Sequence, residues 1–252
     1  AAHGFGGHAN RLLGTAEAAA AVEACLRPGP GAGAWLLQRD VSDCMLLGGR
    51  RFTLRLYLVV VEGPPRRAFL ATRGLVYRAL EGSCASNCSQ AALRSRGSST
   101  AAGAEACPDL EWLWRHLAAR RGAGAPAALR RRLRRLAALL AHGPLWEALE
   151  TPVGEVAEAG WAAPLRVPKV LGLDVIVGGG ADGGEPWPWL LEVNRFPGLG
   201  LRAPSDAAVK LPVVRDAWAE ALGMGGGAGG CLVELGRPVR AKSAIAGHPL
   251  LL

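Results

Sequence analysis

Apolar and polar positions along this chain fall into two rhythms, one of period two and one near three and a half. From Phe52, the run FTLRLYLVVVEG sets Phe52, Leu54, Leu56 and Leu58 against Thr53, Arg55, Tyr57 and Val59, the alternation of a strand. Gly63-Pro64-Pro65 then turns the chain into AFLATRGLVYRAL, so a long hairpin is predicted. Two later apolar runs, GLDVIV from Gly172 to Val177 and PWPWLLEVN from Pro186, are separated by a cluster of Gly, Asp and Pro, which predicts a second antiparallel pair. In the first run Leu173 and Val175 point away from Asp174. In the second, Trp189, Leu191 and Val193 alternate with Leu190, Glu192 and Asn194, which puts Glu192 and Asn194 on one face.

The helical rhythm appears in three places before the chain's last third. AEAAAAVEACL follows Thr15, the expected N-cap, with Glu17 in the first turn. DLEWLWRHLAARRG predicts a helix starting at Asp109. AALRRRLRRLAALLAHG sets Leu129, Leu133, Leu136 and Leu140 at helical spacing among Arg130, Arg131, Arg132, Arg134 and Arg135. That basic amphipathic helix has three readings: a surface helix packed by its leucines, which is the default, a contact for membrane or nucleic acid, or a docking face for an acidic tail. No interleaved aromatic residues support a nucleic-acid role. The glycine run after Trp218 is read as the end of the domain, followed by a tail with one short apolar segment, CLVEL.

Two strands carrying Asp174, Glu192 and Asn194 bring together hard oxygen donors of the kind Mg²⁺ prefers, suited to bridging nucleotide phosphates. Each residue alone more often caps a strand or ends on a solvated face; the three together favour the metal reading. Arg55 lies on the less apolar face of its strand, where a guanidinium either meets an anion, phosphate or carboxylate, or sits solvated at an edge. HGFGGHANRLL near the start is a glycine-rich turn. Without the Lys-Ser or Lys-Thr ending of a P-loop, its residues alone favour an ordinary turn over a phosphate grip.

The 252 residues can bury a substantial core in one large domain or two small ones, and a 50% hydrophobic share suits a globular protein. Lysine and arginine total 29 against 21 acidic residues, a formal charge of +8 that points to a polyanionic partner without choosing among them. The six cysteines lack paired spacing, which favours reduced thiols in the cytosol. No apolar run reaches the length of a membrane span, so no membrane partner is expected. The absence of an initial methionine is read as an N-terminal part lying outside this sequence.

PWPWLLEVNRFPGLG and the preceding Asp174 resemble the D…(L/I)EVN signature of the tubulin tyrosine ligase-like proteins, whose core is an ATP-grasp fold. WLLQRDVSDCMLLGGRRFTLRLYLVVVEG, Trp35 to Gly63, is similar to the family's adenine hinge and K-F-D-L-R strand, and SDAAVKLPVVRDAW, Ser205 to Trp218, to its closing helix. The resemblance implies an α/β (α+β) ATP-grasp fold with mixed or antiparallel sheets and flanking helices: residues 1–41 from a central subdomain, 42–222 the C-terminal subdomain, 223–252 a glycine-rich tail. It implies ATP and Mg²⁺ as cofactors, with Gly4, Gly6 and Gly7 over the phosphates and Gln38, Arg39, Asp40 and Val41 at adenine. Asn87 falls in a segment like the family's H-L-T-N. Asp174, Glu192 and Asn194 would hold the metal and Arg55 would contact the reacting anion. The implied activity is ATP-dependent ligation of a free amino acid, glutamate or glycine, to the acidic C-terminal tail of tubulin through an acylphosphate, in the cytoplasm on microtubules or in a cilium. Thr53 stands where the family has aspartate, the His and Lys around Asn87 are absent, and the family's phosphate-binding lysines would precede Ala1. Those departures leave two rivals: a catalytically impaired tubulin-binding module, and a ligase for another protein carboxylate.

Overall fold

The computed structural model describes residues 14–26, 40–63, 65–79, 108–143, 145, 149, 167–179, 184–201, 204–225 and 229–236. In chain order these form α1 (Thr15–Leu26), β1 (Leu46–Leu47), β2 (Arg50–Val61), β3 (Arg67–Arg78), α2 (Leu110–Arg121) and α3 (Gly124–Ala141). β4 (Pro168–Gly178), β5 (Trp187–Asn194), α4 (Pro204–Ala221) and β6 (Leu232–Glu234) follow. The strands make an antiparallel sheet in the order β5-β4-β2-β3-β6, with β1 paired to β2.

Alternation in β2 sends its two sets of side chains into two different cores. Leu54, Leu56 and Leu58 meet Leu113, Leu129 and Leu133 of α2 and α3, together with Leu173 and Val175 of β4. Tyr57 and Val59 meet Leu75 of β3 and Val209, Val213 and Ala217 of α4. A sheet covered on both faces buries every β2 residue from Phe52 to Val61, including Thr53 and Arg55. Each fully buried leucine of this core contributes roughly 1.5–3 kcal/mol relative to exposure.

Local chemistry sets the helix ends. The Asp109 carboxylate accepts from the Trp112 backbone N–H at 2.9 Å, as the N-cap of α2 should. At α1 the expected Thr15 cap is displaced by one residue: the helix begins at Thr15, and Glu17 reaches back to accept from the Gly14 N–H at 2.9 Å. Pro212 lies inside α4 and has no N–H to offer the Ala208 carbonyl one turn earlier. Arg73 of β3 donates to that carbonyl instead, at 3.1 Å.

Two expectations from the sequence change here. The segment read as a tail supplies β6, which pairs with β3 through Phe69, Leu70 and Ala71. It is fastened by the Asp216 carboxylate, which accepts from the Cys231 N–H at 2.6 Å, and by Arg67, which bridges Glu234 and Glu220 at 2.9 Å each. The strict alternation expected in β5 is broken by a bulge at Leu191, where Asp174 pairs with Glu192 but Val175 pairs with Leu190. Leu190 and Val193 therefore both pack against the helical core, and Leu190 does not share a face with Glu192. Leu129, Leu133 and Leu140 of the basic helix are buried and Leu136 is partly buried against the same core, as its default reading as a packed surface helix expects. Among the described residues no helix is long and apolar enough to cross a membrane.

Candidate functional site

Three neighbouring strands contribute one polar residue each to a single cross-strand row. Arg55 of β2 stands opposite Asp174 of β4, and Asp174 stands opposite Glu192 of β5. Arg55 donates from Nε to Asp174 Oδ1 at 2.5 Å and from Nη2 to Oδ2 at 2.9 Å, a bidentate pair inside the sheet with Arg55 8% and Asp174 3% exposed. Asn194 joins the row through Nδ2, which donates to Asp174 Oδ2 at 3.0 Å and to Glu192 Oε1 at 2.9 Å. The bulge at Leu191 lets Glu192 and Asn194 turn to this face while their apolar neighbours stay in the core.

The chain leaving β5 closes over the row. Arg55 Nη1 donates to the Pro197 carbonyl at 2.9 Å. Pro197 lies so close above Gly172 that a Cβ at 172 would come within 2.7 Å of the Pro197 Cβ, which leaves room there only for glycine. Farther along, the buried Lys210 of α4 donates to the Gly200 carbonyl at 2.9 Å and pairs with Asp206 at 2.7 Å. Two cations, Arg55 and Lys210, thus hold the 195–201 segment by its carbonyls. Tyr77 lies beside Arg55 with its ring centroid 5.8 Å from the guanidinium carbon, and the Tyr57 hydroxyl is buried with no hydrogen-bond partner among the described residues.

Burial pushes the Asp174 carboxyl up to about 6, and the neighbouring Glu192 adds to the rise while the two bonds from Arg55 oppose it. Glu192 moves the other way: its hydrogen bond with Asp174 and the Asn194 amide hold it below the usual carboxylate range, against its own partial burial. Asp174 therefore takes up its proton at a higher pH than an ordinary aspartate, and Glu192 at a lower pH than an ordinary glutamate. Burial works against the Arg55 charge, but pairing with Asp174 outweighs it and keeps the guanidinium protonated.

Could this row hold a divalent cation? Asp174 and Glu192 offer carboxylate oxygens and Asn194 an amide oxygen, all hard donors on one face, which suits Mg²⁺ with phosphate or water completing six positions. Among the described residues no group of three His, Cys, Asp or Glu gathers as a metal site, so the third donor is the Asn194 amide. The donor types fit. Loading would require Asn194 to present Oδ1 in place of Nδ2, and Arg55 to yield an Asp174 oxygen that it now holds.

The remaining sequence candidates divide in two. Asp40 and Val41 open a described segment without regular structure that leads to β1, and the strand expected before them lies outside the described residues. The Asp40 carboxylate receives Arg51 Nη1 at 2.8 Å and Nη2 at 2.7 Å, and these bonds hold it below the usual range. That segment is tied to β4 by Met45 N–H to the Val177 carbonyl and Gly179 N–H to Asp43. Beside it a cavity of about 500 Å³ opens toward α2, lined by Cys44, Leu47, Arg51, His116 and Arg120. Gly4, Gly6, Gly7, Gln38, Arg39 and Asn87 lie outside the described residues. The sequence reading missed Pro197, Gly172 and Lys210 as supports of the row; the RFPG stop after Asn194 and a lysine amid an apolar helix were the available signals. A scan against protein-family models finds no match for this chain, and a search of curated proteins finds none either.

Proposed function

We propose that this chain carries the metal and nucleotide-phosphate side of an ATP-grasp ligase of the tubulin tyrosine ligase-like kind. The observation that carries the reading is the row of Arg55, Asp174 and Glu192 joined by Asn194, an arginine beside three hard oxygen donors on one sheet face that runs from the buried Arg55 and Asp174 to the exposed Glu192. A D…EVN pattern spread over two adjacent antiparallel strands is what such a site needs. Asp174, Glu192 and Asn194 would hold Mg²⁺, which when bound neutralises phosphate charge. Arg55 would orient a phosphate oxygen and stabilise transferring charge. Pro197 and Lys210 would keep the row covered.

The reaction joins an acidic-tail carboxylate of tubulin to the amino group of a free amino acid, glutamate or glycine. The carboxylate oxygen attacks the γ-phosphorus and ADP leaves; the amine then attacks the acyl carbon and inorganic phosphate leaves with the former carboxylate oxygen. A cytoplasmic, microtubule-associated or ciliary setting follows from that substrate. One observation favours a second reading, a tubulin-binding module without turnover: Arg55 already neutralises Asp174 through both carboxylate oxygens.

Incubation with tubulin, Mg²⁺, ATP and isotopically labelled glutamate or glycine, followed by mass spectrometry of the tubulin tails, tests the proposal. The expected product is a tail heavier by whole amino-acid residues. Transfer to another carboxylate protein but never to tubulin would overturn the acceptor assignment, and tubulin binding with no transfer would favour the module.

A further inference from the structure

On the opposite side of the sheet from the Arg55 row, α3 carries Arg130, Arg131, Arg134 and Arg135 exposed on its outer face. Arg130 is occupied, packed over the Trp114 ring at 4.8 Å and 3.8 Å from Glu111. Arg131, Arg134 and Arg135 have no ion-pair partner among the described residues. The pairs Arg130/Arg134 and Arg131/Arg135 stand at i,i+4, where like charges repel and weaken a helix. The helix also begins with no acidic residue in its first turn and no side-chain cap. Glu111 and Glu185 answer Arg130 and Arg132, and among the described residues no acidic side chain pairs with Arg131, Arg134 or Arg135.

We propose that this face of α3 is a docking surface for an extended acidic peptide segment of a partner protein. Residues four apart on a helix rise about 6 Å, and alternate residues of an extended chain, which point the same way, recur at about 6.6–6.8 Å. An acidic strand can therefore offer successive carboxylates to successive arginines. Arginine suits that contact because its planar fork takes a carboxylate through two hydrogen bonds.

The surroundings select among polyanions. Glu111 and Glu185, 69% and 77% exposed at their side chains, flank the arginines on either side, one near Arg130 and the other paired with Arg132. A narrow peptide fits between those carboxylates, whereas the broad phosphate surface of a duplex would meet them. Leu129, Leu133 and Leu140 are turned into the core, so the helix has no free apolar face to enter a bilayer. The outer face of the helix carries no aromatic side chain of its own to stack single-stranded bases, and Trp187 beside it is covered by the Arg132 guanidinium at 5.1 Å. The inference concerns a different face of the sheet and holds whether or not the Arg55 row binds nucleotide.

The test uses the whole chain and a fluorescent poly-L-glutamate peptide, followed by anisotropy at low and high salt. Wild-type binding should weaken with added salt. Replacing Arg131, Arg134 and Arg135 together by glutamate should weaken it about tenfold or more, with circular dichroism unchanged. The triple lysine variant, which keeps the charge and loses the fork, should fall between the two. Equal binding by the wild type and a folded triple-glutamate variant would overturn the proposal. So would tighter binding of duplex DNA or of phosphatidylserine vesicles than of the peptide, lost through the same substitutions.

Discussion

Replacing Asp174 with alanine isolates the energetic consequence of the buried row. Arg55 is 8% exposed and makes three side-chain hydrogen bonds, two of them to Asp174 and the third to the Pro197 carbonyl. Removing the carboxylate leaves a guanidinium in the sheet with two donors unpaired and only the exposed Glu192, one strand farther on, as an opposite charge. Breaking a buried pair in this way costs about 3–5 kcal/mol, a large part of the roughly 5–15 kcal/mol that holds a domain together. For a domain of this size class that corresponds to a fall in Tm of about 6–20 °C. Urea unfolding followed by circular dichroism measures it. The companion variant, Arg55→Met with Asp174→Leu, removes both charges and fills similar space, so it should recover most of the loss. The reasoning fails if Asp174→Ala unfolds within about 1 kcal/mol of wild type, or if the double variant is less stable than the single one.

Gly172→Ala would drive a methyl group against Pro197 and the Arg55 side chain. A loss of about 1–3 kcal/mol is expected in the same denaturation assay, together with faster amide exchange across residues 195–201. Asp216→Asn probes the fastening of β6. Although burial opposes its charge, the Cys231 N–H and Arg215 hold Asp216 below its ordinary value of 3.8, so its ionised form stabilises the fold. That stability is fully present above 3.8 and is lost as pH falls through the lower folded value. The variant should be about 1–3 kcal/mol less stable at neutral pH, and the gap should close in acid. A gap that persists unchanged to low pH would contradict the assignment.

Much of this architecture was legible because strand alternation is a local property. The β2–β3 hairpin and the β4–β5 pair follow from their own residues and turns, and with them the meeting of Asp174, Glu192 and Asn194. The partner of Arg55 was harder to read. It depends on β4 lying beside β2 and on their register, which is set by the packing of both faces and not by either strand alone. The sequence called only for some anion, phosphate or carboxylate, beside Arg55, since a guanidinium is not stable buried alone. The bulge at Leu191 was hidden because PWPWLLEVN alternates acceptably in either parity; burial of Leu190 and Val193 on the same side decides it. β6 was hidden by its brevity, three residues after a glycine run, and by its dependence on Asp216 and Arg67 far back in the chain.

Calorimetric titration of ATP with Mg²⁺ into the whole chain, set beside the same titration of Glu192→Gln, tests the metal and nucleotide reading most directly. Glu192 is exposed and forms no hydrogen bond with Arg55, so the variant should keep its fold. The account predicts binding that requires Mg²⁺ and is weakened at least about tenfold in the folded variant. Equal binding by both proteins, or no binding by a folded wild type, would contradict it and leave the row as a structural ion pair.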